Sequence, residues 1–170
     1  MKEYLVVDGY NIIGSWPQLV KLKDIHLEEA RDQLIHILAD YQAFSGIQVC
    51  IVFDAYHIPG LGGKYEQSNL RIVYTKEKET ADELIESLVS EMIGRRKRVY
   101  VATSDLTEQN VIFGKGALRV SARELLEKVR ENDKELRRKI SERSSPARNS
   151  LDNNLSNDLK QLFEKWRRGR

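Results

Sequence analysis

The sequence predicts an α/β fold, a mainly parallel central sheet with helices on both faces, and three observations carry that expectation. Short apolar runs of strand length alternate with longer segments whose apolar residues recur at helical spacing. The strand runs are apolar throughout, as in Val49-Cys50-Ile51-Val52-Phe53, which suits strands buried on both sides. Two capping-box sequences, Thr80-Ala81-Asp82-Glu83 and Ser121-Ala122-Arg123-Glu124, mark where helices begin.

The elements follow in order. Tyr4-Leu5-Val6-Val7 is the first strand and ends at Asp8. Leu27, Ala30, Leu34, Ile37, Leu38 and Tyr41 form the apolar face of a helix that Ser45-Gly46 terminates. Val49 to Phe53 is the second strand, ending at Asp54, and a Gly-containing loop is expected from Ala55 to about Leu70. Arg71-Ile72-Val73-Tyr74 is the third strand. The helix opened by Thr80 places Ala81, Leu84, Ile85, Leu88, Val89 and Met92 on one side. Val99-Tyr100-Val101-Ala102 is the fourth strand, ending at Thr103-Ser104-Asp105. Thr107 to Phe113 suggests a short helix, and Leu118 to Val120 a fifth strand at the edge. The helix opened by Ser121 is expected to run to about Arg143. Ser144 to Ser150, with Pro146 inside, reads as a linker or mobile loop before a last amphipathic helix with Leu155, Leu159, Leu162, Phe163 and Trp166 on one side.

Composition excludes several classes. The chain has 170 residues, enough for one domain that buries about 70% of the surface its unfolded form exposes. The absence of a long apolar run argues against a signal peptide or a membrane span, so the cytosol is the expected compartment. A single cysteine, Cys50, excludes a disulfide framework and a Cys-based zinc site. The 28 Lys and Arg nearly balance the 26 Asp and Glu, but unevenly along the chain. Residues 1–122 hold 14 bases and 17 acids, whereas residues 123–170 hold 14 bases and 9 acids. A net −3 body therefore carries a net +5 tail. Bases with an interspersed aromatic suit RNA phosphates and a stacked base; interleaved Glu131, Asp133 and Glu135 also suit a plain solvated helix face.

Acids recur at the strand ends. Asp8, Asp54 and Asp105 each follow a strand, and Asp82 lies in the first turn of the helix after the third strand. In parallel sheets the carboxyl ends of the strands form the ligand-binding edge. One aspartate there caps a helix or ends a strand; four from separate elements repel one another unless they share a cation. Mg²⁺ is held by a few carboxylates together with phosphate oxygens, which points to metal-assisted phosphodiester cleavage with one or two ions. Other constellations fall short. Gly60-Leu61-Gly62-Gly63-Lys64 is followed by Tyr65 and lacks the spacing of a P-loop, and Gly9 has no GxGxxG context. Tyr10 stands where a haloacid-dehalogenase-type phosphatase needs a second Asp. His26, His36 and His57 lack ligand spacing, Ser104 has no evident His partner, and Cys50 sits within an apolar strand as a buried thiol.

Asp8-Gly9-Tyr10-Asn11, directly after the first strand, resembles the opening motif of NYN-domain nucleases, relatives of the PIN domains. Val52-Phe53-Asp54-Ala55, Thr80-Ala81-Asp82 and Ala102-Thr103-Ser104-Asp105 agree with it in order. The closing Phe163-Glu164-Lys165-Trp166-Arg167-Arg168-Gly169 resembles the tail of the YacP-like branch. The resemblance covers essentially the whole chain. It implies a three-layer α/β/α PIN-like catalytic domain over residues 1–127, with a basic helical extension over 128–170. It also implies Mg²⁺ or Mn²⁺ dependence and endonucleolytic cleavage of RNA, with messenger RNA decay coupled to translation and hence the ribosome as a partner. Asp8, Asp82 and Asp105 would be the catalytic metal-binding acids, with Asp54 a fourth acting directly or through water. Asn11 would hold the Asp8 turn or contact a phosphate. Thr103 and Ser104 would bond the scissile phosphate or shape the strand end. Glu79 and Glu83 are spare carboxylates, Glu83 being better explained as a cap. Lys115, Arg119 and Arg123 would grip the RNA backbone, and the Arg137-Arg138-Lys139 cluster with Trp166, Arg167 and Arg168 would reach further along it. Two other readings stand beside this one: a catalytically quiet RNA- or ribosome-binding module, and a phosphatase acting on small phosphoesters.

Overall fold

The computed structural model describes residues 1–55, 63–67, 69–105, 110, 112 and 114–168, with the backbone alone for 63–67, 145–160, 163 and 166–168. The chain divides into two compact units, Met1–Asn132 and Asp133–Arg170.

In the first unit six strands form one sheet: β1 (Lys2–Asp8), β2 (Gln48–Phe53), β3 (Gly63–Gln67), β4 (Leu70–Tyr74), β5 (Lys97–Ala102) and β6 (Leu118–Val120). Their order is β3-β4-β2-β1-β5-β6. Five strands are parallel, and β3 pairs antiparallel with β4 at one edge. The helices are α1 (Gly9–Ile13), α2 (Pro17–Lys23), α3 (Leu27–Ser45), α4 (Ala81–Met92) and α5 (Ala122–Arg168).

Strand alternation separates two cores. Leu5, Val7, Val49, Ile51 and Phe53 face Ile12, Ile13, Trp16, Leu34, Leu38, Leu125 and Leu126, from α1 to α3 and the start of α5. Val6, Cys50, Val52, Val73, Val99 and Val101 face Ile85, Leu88 and Val89 of α4. The result is the three-layer α/β/α arrangement expected, with Cys50 buried. The predicted ends hold where local chemistry sets them. Gly46 closes α3 at φ 77, its N–H donating to Gln42 O at 3.0 Å. The Thr80–Glu83 capping box is present in both directions. So is that of Ser121 and Glu124, with bonds of 2.7 and 3.1 Å.

Three features differ from expectation. Within the loop expected over 55–70, residues 63–67 are a strand that pairs along the otherwise open edge of β4. Gly63-Lys64-Tyr65-Glu66-Gln67 has no apolar run to announce it, and its partner supplies the order. The helices α1 and α2 were not apparent between the first strand and Leu27, because five and seven residues show too few turns to establish a period. Helix α5 continues through 144–150, where Pro146 suggested a break. The short helix expected over 107–113 lies largely outside the described residues, as does the Gly62 loop with His57.

Candidate active site

In this strand order the chain builds outward from β1 in two directions, through β2 to β4 on one side and through β5 to β6 on the other. The crevice outside the carboxyl ends of β1 and β5 is the switch point, where such sheets bind ligands. Asp8 ends β1 at that crevice and caps α1, accepting from Asn11 N–H at 3.5 Å. The chain turns sharply here because position 9 is glycine. A Cβ on Gly9 would stand 2.3 Å from the Phe53 ring, so no other residue brings α1 down onto the end of β2. Tyr10 packs on Phe53 at 5.1 Å between centroids and accepts from Arg31 Nη1 at 3.0 Å.

Asn11 ties the two strand ends together. Its Oδ1 accepts from Ser104 N–H at 2.9 Å and from Ser104 Oγ at 2.8 Å. Ser15 extends the link, donating to Asn11 O at 2.8 Å with its hydroxyl 3.4 Å from that of Ser104. Thr103 is fully buried; its N–H donates to Val120 O, and its hydroxyl accepts from Asp105 N–H at 3.2 Å. It thus shapes the strand end that presents Asp105. Buried Thr75 acts alike for Asp54: its hydroxyl accepts from Ala55 N–H at 2.9 Å and donates to Asp54 Oδ1 at 3.4 Å.

The charges of Asp54, Asp82 and Asp105 all act on Asp8. The Asp8 carboxyl is raised from 3.8 to about 6, chiefly by burial, then by the charges of Asp82, Asp105 and Asp54; the Asn11 N–H opposes this. Asp8 is half-buried, while Asp82 and Asp105 are exposed to solvent. The donor set is of the hard-oxygen type that Mg²⁺ and Mn²⁺ take. Its spacing is looser than ligation requires: among the described residues, no group of three or more His, Cys, Asp or Glu could hold an ion as the side chains stand. The spare glutamates are structural. Glu83 caps α4, and Glu79 accepts from Lys76 N–H at 3.0 Å.

Of the cations expected to grip RNA, Lys115 is paired with Glu86 at 2.8 Å and donates to Ser90 Oγ at 3.0 Å. Arg119 is exposed on β6, and Arg123 is exposed beside Glu127 at 3.5 Å. In the second unit, Arg137 and Arg138 pair with Asp133 and Glu142, one turn away on the same helix. Trp166, Arg167 and Arg168 fall in the last turn of α5, and their side chains lie outside the described residues. Sequence reasoning missed Ser15, Thr75 and Arg31. Ser15 stands four residues after Asn11, a spacing that hinted at a shared helix face, but Thr75 and Arg31 act through partners about 20 residues away and left no local signal.

A mainly parallel sheet between two helical layers is the fold of the PIN-like nuclease class, to which NYN domains belong. Residues 5–168 match the YacP-like NYN domain, and the chain belongs to that family. It is 47% identical to YacP of Bacillus subtilis over 169 residues, 98% of each chain. The crystal structure of Rae1 (YacP) from Bacillus subtilis superposes with a TM-score of 0.75 at 46% identity, over 98% of this chain and 95% of that one. A tryptophan-to-leucine mutant of Rae1 gives the same TM-score and identity over 84% and 83%.

Proposed function

We propose that the protein is a divalent-metal-dependent endoribonuclease, with messenger RNA as substrate and the translating ribosome as the setting in which it is presented. The observation that carries this reading is that Asp8, Asp54 and Asp105 follow the carboxyl ends of three parallel strands and Asp82 stands in the first turn of α4, with the charges of the other three acting on Asp8. Asp8, Asp54, Asp82 and Asp105 would hold Mg²⁺ or Mn²⁺, which when bound would offset phosphate charge and lower the pKa of a water. Asn11 and Ser104 tie the ends of β1 and β5 together, a link that would help Asp8 and Asp105 act on one phosphodiester. Ser104 is exposed next to Asp105, and its hydroxyl would bond a phosphate oxygen. Lys115 can serve RNA only by leaving Glu86, whereas exposed Arg119 and Arg123 are the readier backbone contacts.

Asp8→Asn and Asp82→Asn should abolish cleavage of a translated message in Mg²⁺ while circular dichroism stays unchanged. Full cleavage by both variants would refute the assignment of these acids. The loose spacing of the carboxylates favours a second reading, a binding module without turnover. It predicts salt-dependent RNA or ribosome binding with no cleavage in any divalent metal, on naked RNA or on ribosomes.

A further inference from the structure

The opposite edge of the sheet carries features that cleavage at the aspartates does not use. β5 begins from the turn Gly94-Arg95-Arg96-Lys97, closed by Lys97 N–H donating to Gly94 O at 3.1 Å. With Arg98, four successive exposed cations stand at this corner, out of 14 bases in the whole net −3 stretch of residues 1–122. Arg96 holds φ 66, a left-handed conformation that Gly or Asn adopts at lower cost, so a bulky cation sits where the backbone does not favour one. Lys2 N–H donates to Arg96 O at 3.0 Å and brings Lys2 beside the turn. Arg98 is paired with Glu3 at 3.5 Å, but the side chains of Lys2, Arg95 and Arg96 have no ion pair among the described residues.

Next to this corner an open cleft of about 270 Å³ lies at the amino ends of β1, β2 and β4. Tyr4 joins the two features: it lines the cleft, and Lys97 Nζ stands 5.9 Å from its ring centroid. Met92 adds a second apolar surface. Gln42 shapes the wall, accepting from Val49 N–H and donating to Asn69 O, both at 2.8 Å. Gln48, Asn69 and half-buried Arg71 line the cleft, and Arg71 stands opposite Glu66 of β3 in the strand register.

We propose that this amino-terminal edge is a second RNA-binding surface, which takes an unpaired nucleotide in the cleft and the adjoining backbone on the basic turn. The inference rests on the reading of the protein as RNA-directed. The base would lie against Tyr4 and Met92, with its polar edge at Gln48 and Asn69. Arg71 would meet its phosphate, and Lys2, Arg95, Arg96 and Lys97 the neighbouring ones. An acidic peptide would match the cations but leave the amides and the Tyr4 face unused. The placement has a physical logic: the acidic edge repels RNA, and an anchor at the far edge adds affinity without entering the catalytic crevice. The two edges are a strand length apart, about 20–25 Å, so only an RNA longer than a few nucleotides touches both.

The test uses the full chain carrying Asp8→Asn to block cleavage, and an unstructured fluorescent oligoribonucleotide of about 20 nucleotides, titrated at several salt concentrations. Adding Arg95→Gln with Arg96→Asn should weaken binding about tenfold and flatten the slope of log affinity against log salt by about 1.4, for two phosphate contacts. The thermal midpoint should not fall, since Asn suits the left-handed position. Arg71→Gln should weaken binding several-fold and abolish a 4-thiouridine photocrosslink to Tyr4. Unchanged affinity and slope in the Arg95/Arg96 variant would overturn the proposal, as would an equal loss of binding to polyglutamate, which would mark a generic anion surface. Failure of the Asp8→Asn parent to bind RNA at all would instead overturn the RNA-directed reading on which it rests.

Discussion

Asp8 is the residue in which the demands of folding and of the proposed chemistry conflict most plainly. Its carboxyl is held at about 6 rather than 3.8, so the metal-free fold binds a proton that the unfolded chain has released. A raised acid of this kind costs nothing below about pH 4 and destabilises increasingly as pH rises toward 6, with the full penalty above it. The shift corresponds to at most about 3 kcal/mol. Asp8→Asn keeps a capping side chain and loses the charge. In chelator it should therefore be more stable than the parent above pH 6 and equal to it below pH 4, as urea unfolding across pH would measure. Millimolar Mg²⁺ should raise the melting temperature of the parent but not of Asp8→Asn, because an ion that binds only the folded state stabilises it by mass action. Asn11 is the second decisive residue. Asn11→Ala removes the acceptor for two Ser104 bonds, which should lower stability by about 1–2 kcal/mol and reduce turnover far more than that loss explains. Equal loss in both measurements would reduce Asn11 to a purely structural role.

Among the elements, α1 has the tightest tolerance. It is only five residues long, and its position depends on Gly9 lying against the Phe53 ring. Gly9→Ala should cost about 1–3 kcal/mol through overpacking and displace Asn11 from Ser104, with cleavage lost while the sheet persists. Phe53→Leu in the same chain should recover part of both, as melting and turnover assays would show; no recovery would mean that the clash lies elsewhere. The strand ends follow a common rule. Thr75 and Thr103 are fully buried, and each uses its hydroxyl to hold the backbone around an aspartate that faces the crevice. The carboxylates therefore sit on rigid supports, the condition for placing a reacting group accurately.

For the molecule as a whole, the first turns of α5 belong to the core of the first unit. Trp16 Nε1 donates to Ala122 O at 2.8 Å, Leu125 and Leu126 are buried, and Val129 packs against them. A chain ending at Asn132 should keep the cooperative unfolding of the parent, whereas one ending at Ser121 should not fold, and calorimetry separates the two. The shorter stable chain also loses 11 bases and 6 acids. Its RNA affinity should fall with a shallower salt dependence if the tail contacts phosphates, and should not change if the tail is only a solvated helix. None of the helices among the described residues is long and apolar enough to cross a membrane.

Much of this molecule was legible from its residues. The five parallel strands, α3, α4 and the capping boxes at Thr80 and Ser121 all follow from local periodicity, capping chemistry and the direction of parallel strands. Those signals act over a few residues and survive without knowledge of the partner. The bond from Asn11 to Ser104, the support of Asp54 by Thr75, the antiparallel pairing of β3 and the pairing of Lys115 with Glu86 do not. Each joins groups brought near only when the sheet assembles, and the residues involved are common types with no distinguishing spacing. The net charge near zero shows the same division: the order of residues separates acids from bases along the chain, but only the fold brings the charges of Asp54, Asp82 and Asp105 to bear on Asp8 and sets the Arg95–Arg98 run at the opposite edge. Strand direction and order, which no residue encodes alone, determine which charges share an edge.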